Sequence, residues 1–497
     1  MFTRRAIALV LALAVVCLSP RAAGAAGEVQ ISVIDQATGQ PIAGRIHLAD
    51  QQGKPRKIPR LPFWNDHSAF RGTLDLKLPR GHYTFLLESG PERLTREGYF
   101  TLDNFSQDSK EVDLKRFVDM AKSGWYSGDL LVRRPIADVP LLMQADDLHV
   151  AEVVTWTEKK NDWAKRKPPA DPLSTFEKDW AYQTLAGADL AHGVVFLNLE
   201  QPLELPARLE GAALLATMKA ARKDGAWVHL DRLDALDLPA WVAAGAVDSV
   251  AVADSRLERD GIGKAAPNTR ARDAVLYPEP YGHGRWVQDI YFHLLECGLK
   301  IPPAAGSGTG IAPNPLGYNR VYAFLEEPFS YDNWFEALKA GRVMVTNGPL
   351  LRPEIVNRRP GHVFESEAGR PIELELGLHL ATKEKIAYLE IVQNGRVAKE
   401  VRLDEFAKTG RLPPIRFETS GWCLARVVTE AADTYRFAMT GPFFVEIGGQ
   451  QRISRRSAEF FVKWAEERLA QAAEGEKQMH QDALAYWRAI VGRSNAE

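Results

Sequence analysis

Residues 123–134 read "SGWYSGDLLVRR", and the fold turns on how that stretch is taken. An apolar approach closes on Asp129, as a buried strand closes on the edge of an active site. The polar positions that follow are held by Leu131 and Arg133. Further along come four more short apolar runs that end in polar residues: "HVAEVVTWT" (149–157), "HGVVFLNL" (192–199), "GAWVHLD" (225–231) and "VDSVAVAD" (247–254). Between them lie "EGAALLATMKAARKDG" (210–225) and "LPAWVAAG" (238–245), which read as helices. Apolar strands alternating with helices predict a parallel α/β sheet or barrel over 118–352, covered on both faces. Ligands of such folds sit at the carboxyl ends of the strands. The residue closing each run is therefore a site candidate.

The flanks read differently. Residues 27–117 alternate in "EVQISVID", "RIHLAD" and "LDLKLPRGHYTFLLESG", which predicts a small Ig-like β-sandwich. His47, His67 and His82 fall there and are expected to be structural or solvent-facing. Residues 353–452 return to β, with Asn394-Gly395 as a hairpin turn, and predict a second β-sandwich. Residues 453–497 carry apolar residues every third or fourth position in "SRRSAEFFVKWAEERLAQAAEG" and around "ALAYWRAI", which predicts a helical hairpin with Trp464 and Trp487 as packing residues. His293 is expected to be packed within its helix, and His480 to lie on a solvated helix face.

The totals bound the function. The 497 residues exceed one core, and 64 acids nearly cancel 62 bases, which gives no electrostatic reason to expect nucleic acid as a partner. At the start, Arg4 and Arg5 precede an apolar run shorter than the ~20 residues of a bilayer span, then small residues around Ala23-Gly24-Ala25. Residues 1–26 are therefore expected to be a signal peptide. The mature chain would be periplasmic or secreted, with no membrane span. Cys297 and Cys423 then remain, and are expected as buried free thiols. Nothing in the sequence sets the oligomeric state.

Several longer stretches resemble one known family. "LPRGHYTFLLESGPERLTREGYF" (78–100), "GWYSGDL" (124–130) with "RRPIADVPLLMQADDLHVAEVVTW" (133–156), the run from Gly282 to Phe324, and "ALKAGRVMVTNGPLL" (337–351) are similar to CehA/McbA metallohydrolases, the carbaryl-esterase-like branch of the PHP superfamily. The resemblance implies a PHP-like parallel α/β barrel between two β-sandwich domains, divalent metals held by His, Asp and Glu, and hydrolysis of an ester or related bond. The metal positions depart from that family. Its His-x-His is Leu131 and Arg133 here, its Asn-Asn-His is replaced by Ser255 and Arg256, and its late Ser-Asp-x-His is "GSGTG" (306–310). Leucine binds no metal, and arginine stays protonated and repels one.

Two readings follow. In the first, Asp129, His229 and Asp231 are catalytic in a metal-dependent hydrolase. A single zinc or manganese ion is then held by His192, His229, Asp231, Asp254 and His149. In the second, no metal is bound. Arg133 and Arg256 replace the cations, and a pseudoenzyme holds a carbohydrate or small polar ligand with Arg133, Arg256, His283 and the loop residues Asn314, Asn319 and Arg320. "VTNGPLL" (345–351) is expected to reach the same rim as that loop.

Overall fold

The computed structural model describes residues 26–203 and 209–497. The expected signal peptide lies, apart from Ala26, outside the described residues. The chain is a mixed α/β protein with a C-terminal pair of helices. None of its described helices is long and apolar enough to cross a membrane.

Near the N-terminus, two sheets face each other. One has three strands, in the order Thr73–Pro79, Ala26–Asp35, Gln107–Leu114; the other has five, including Ala43–Asp50, His67–Arg71 and Gly81–Glu88. Alternation sends Val29, Ile31 and Val33 inward against Ile46, Leu48, Phe85 and Leu87. The strands flanking Arg80 do not pair with each other. Thr73–Pro79 pairs with Ala26–Asp35, while Gly81–Glu88 pairs with Ala43–Asp50, so this turn carries the chain from one sheet to the other.

The strand predicted from the opening stretch forms over Trp125–Val132 and stands inside a sixteen-stranded sheet. On one side it runs parallel to Val150–Thr157, which is parallel to Trp180–Asp189. Further out, Ser249–Ala253 runs parallel to both Trp227–Leu230 and Pro303–Ala305. Between these groups Val194–Leu197 is antiparallel to both its neighbours, which corrects the all-parallel expectation. The reason is length: a parallel return needs a dozen or more residues, and only the turn Leu190–Gly193 is available. The far end of the series comes back to its start. Thr309 bridges Val132 in parallel, and its carbonyl accepts from Arg133 N at 2.8 Å. Gly310 makes that approach feasible. Its φ is +86°, and a Cβ there would lie 1.8 Å from the Arg133 carbonyl oxygen.

On its other side Trp125–Val132 pairs antiparallel with Arg320–Phe324, then the order continues through Val343–Thr346 and Phe437–Thr440 to Gly421–Thr429 and Ile386–Gln393. The sheet thus passes without a break into the C-terminal β region. Asn394 and Gly395, both at positive φ, turn Ile386–Gln393 back into Arg396–Glu400, as the sequence predicts. Cys297 and Cys423 are buried free thiols.

Helices Arg455–Gln471 and Lys477–Gly492 form the terminal pair. Ser454 caps the first by accepting from Ser457 N. Phe461 stacks on Trp487 at 4.3 Å, and the Trp464 and Trp487 indoles donate to the carbonyls of Leu236 and Pro239. His293 packs flat against Phe460. His480 is buried, not solvated as expected, because it shares a helix face with Ala483, Leu484 and Trp487.

Candidate functional site

The residues singled out from the sequence do not converge on one site but settle at several places at or near the strand ends. Asp129 sits beneath the loop that precedes Arg320. Its Oδ1 accepts from the amides of Leu131 (3.1 Å) and Ser307 (2.9 Å), and its Oδ2 accepts from Gly317 N (2.8 Å) and the Ser307 hydroxyl. Burial raises its carboxyl above the ordinary carboxylate range, against the pull of those donors. Arg133 does not reach it. That side chain donates to the Val154 carbonyl at 2.6 Å and pairs with Asp162 at 3.2 Å.

The second group is built around Arg256. Its guanidinium meets Asp234 through two hydrogen bonds, 2.7 and 3.0 Å, and Asp254 at 2.8 Å. His283, in the first turn of helix Gly282–Glu296, approaches both Asp254 oxygens within 3.0 Å. Burial works against the charge on Asp254, yet Arg256 and His283 hold its carboxyl below the ordinary range. Next to it, Asp231 receives the Ser255 hydroxyl (2.6 Å) and amide (3.2 Å). Burial, with Asp254 adding to it, pushes the Asp231 carboxyl up to about 6. Two neighbouring carboxylates are thus driven apart: the guanidinium and imidazole hold Asp254 down, while burial and the Asp254 charge raise Asp231 against the pull of the Ser255 hydroxyl. Asn319 donates to the carbonyls of Asp254 and Leu257, and Asn314 to those of Ser255, Leu257 and Ser307. Both asparagines are fully buried and tie the loop down.

The remaining histidines stand apart. His229 Nδ1 bonds the Ser249 hydroxyl at 2.9 Å, and its buried Nε2 has no partner. Burial pushes its imidazole down to about 3. His149 Nδ1 lies 3.0 Å from the Ser127 hydroxyl, edge-on to Tyr126, and burial pushes it down to about 4. His192 is opposed by burial but raised by its bond to Asp189 at 2.9 Å, and its Nε2 faces Asn268. No hydrogen bond joins His149, His192 or His229 to Asp231 or Asp254 among the described residues.

These residues do not fit the metal arrangement that the family resemblance implies. Each Asp129 oxygen already takes two donors, Asp254 faces a guanidinium, and Asp231 faces a hydroxyl. The unpartnered buried Nε2 of His229 is one donor where three or four are needed. Sequence reasoning missed the roles of Ser307 and Ser255 as donors to Asp129 and Asp231, and of Asp234 as the second carboxylate on Arg256. The signal lay in "GSGTG" and "ADSR", each of which carries a serine hydroxyl.

Two open spaces adjoin these elements. A cleft of about 980 Å³ opens past the carboxyl ends of Trp125–Val132 and Val150–Thr157. Arg133, Arg134, Lys160, Arg166 and Lys167 line it, against Asp162 and Asp171. Asp162 pairs with Arg133 and Lys160, so Arg134, Arg166 and Lys167 keep no salt bridge among the described residues. The Trp163 indole is anchored on Thr155 Oγ1 at 2.7 Å, and Arg166 lies over its ring. Pro135, Ile136 and Ala137 supply an apolar wall.

A second cavity, about 310 Å³, lies where the N-terminal sheets meet the loop before Arg320 and the turn at Thr346–Gly348. The expected rim shared by the loop carrying Asn314, Asn319 and Arg320 and by "VTNGPLL" is found here, where Gly317, Tyr318 and Arg320 face Thr346, Asn347 and Gly348. Arg320 spends its donors on the carbonyls of Gly317, Asp146 and Asp147. Beside this cavity, Arg259 reaches Asp66 and His47 of the N-terminal sheets.

The chain matches no family model and no curated protein.

Proposed function

We propose that this chain is an exported binding protein built on a PHP-like barrel that holds no metal at its strand ends, and that it takes a small anionic ligand with a flat apolar face, such as an acidic sugar, in the cleft over Trp163. The observation that carries the reading is the pairing of a closed network with an open basic cleft. The carboxylates at former metal positions are satisfied by Ser307, Ser255, Arg256 and His283. The adjoining cleft holds five basic side chains against two acids. The return of Thr309 to Val132 supports a closed barrel, and the cleft then lies at the end where such folds bind ligands. An uncompensated guanidinium beside an indole offers charge to a carboxylate and a flat face to a sugar or aromatic ring.

The test is calorimetric titration with matched acidic and neutral saccharides. Binding of the acidic form, weakened by salt and by about tenfold in Arg166→Ala with Lys167→Ala, supports the proposal. Ester turnover that requires added manganese or zinc, and that disappears in His229→Ala and Asp231→Ala, would instead favour a hydrolase with a single-metal site.

A further inference from the structure

Away from the strand ends, one cluster of metal-type donors stands on rigid backbone. His47 belongs to Ala43–Asp50, His67 opens the paired strand His67–Arg71, and Asp66 lies in the turn before it. Nδ1 of His47 is 3.0 Å from Oδ2 of Asp66, and Nδ1 of His67 is 3.0 Å from Oδ1. One donor atom from each residue falls within 4.8 Å of the other two. Glu88 Oε2, 3.1 Å from His47 Nε2, fixes the ring from behind. Metal-binding imidazoles are oriented by a carboxylate in this way.

The cluster already attracts a positive charge. Arg259 Nη2 lies 2.5 Å from Asp66 Oδ2, and its Nη1 lies 3.1 Å from His47 Nδ1. Arg259 also holds Asp260 at 2.8 Å, and Asp260 is exposed. The guanidinium therefore has somewhere to go without leaving a buried charge unpaired.

We infer that His47, Asp66 and His67 form a site for one zinc ion, which competes with the Arg259 guanidinium for the Asp66 carboxylate. Two imidazoles and a carboxylate are a donor set suited to zinc with water in the fourth position. Magnesium or calcium would call for more oxygens. Arg259 follows the strand Ser249–Ala253, so zinc would exchange a tether between the N-terminal sheets and the central sheet for a site within the N-terminal sheets alone.

The experiment uses the chelator-treated chain 27–497, titrated with zinc by calorimetry and examined zinc-loaded by X-ray absorption. One zinc per chain is expected, with the absorption signature of two imidazoles. Affinity should fall at least about tenfold in Asp66→Asn, rise about tenfold in Arg259→Gln, and stay unchanged in His229→Gln. Two results would overturn the inference. One is no binding up to roughly 100 μM zinc in both the wild type and Arg259→Gln. The other is binding that weakens in His229→Gln and not in Asp66→Asn. If Asp66→Asn does not fold, Arg259→Gln and the two-imidazole signature decide.

Discussion

The strand-end network and the cluster around Asp66 use the same chemistry, carboxylates facing guanidinium and imidazole, and differ in access. Asp129, Asp231 and Asp254 are at most 2% exposed, and their neighbours are built to saturate them. Asp66 and Arg259 each keep 22% of their side-chain surface in water. A buried network of this kind is fixed, because removing one partner strands a charge. A partly wet one can trade partners, because water covers the intermediate. The comparison teaches that the strand-end carboxylates are saturated from within the fold, while exchangeable charge stands at the junction.

The sharpest way to break the contrast is to remove one arginine from each side. Arg256→Met leaves Asp234 and Asp254 buried without their guanidinium and is expected to cost about 3–5 kcal/mol in urea unfolding. Arg259→Met should cost about 1 kcal/mol or less in the same assay. Equal losses would erase the distinction.

Asp231 sharpens it through pH. Its folded value of about 6 lies above its unfolded value, about 3.9. A raised acid holds its proton more tightly when folded, so the stability it contributes is full below about pH 4 and is lost as pH rises through 6. Asp231→Asn lacks that fall. Relative to wild type it should gain about 3 kcal/mol between pH 4 and pH 7, read from melts across that range. A difference independent of pH would show that Asp231 ionises freely.

A smaller effect is expected at Ser307. Ser307→Ala removes a hydroxyl donor to Asp129 while the Gly317 and Ser307 amides remain, and should cost about 1–2 kcal/mol. The smallest belongs to the cleft. Arg166→Ala should leave stability within about 0.5 kcal/mol while weakening ligand binding, since its side chain makes no salt bridge among the described residues.

Much of the fold was legible because it is written in local pattern. The strand around Asp129, the helices after Ser454 and the turn at Asn394-Gly395 all follow from periodicity or turn chemistry, although that strand runs on past Asp129 to Val132. What was not legible depends on pairing across distance. No local feature shows that Val343–Thr346 joins Phe437–Thr440, or that Thr309 meets Val132. The antiparallel Val194–Leu197 was readable from its short turn. His480 was readable too, at helical spacing from Ala483, Leu484 and Trp487. Of the candidate site, Asp129, Asp231, Asp254 and the arginines were found, but Asp234 and the choice of partners were not: Arg133 turns to Asp162, and Asp129 is held by Ser307.

The unbroken sheet sets how this chain can be dissected. A truncation at residue 352, where the sequence alone would divide the protein, strips Val343–Thr346 of Phe437–Thr440 and leaves a fully buried strand as a raw edge. Such an edge recruits other chains. A fragment ending there is expected to oligomerise or precipitate, and a well-behaved piece retains both the C-terminal β region and the helical pair packed on Leu236 and Pro239.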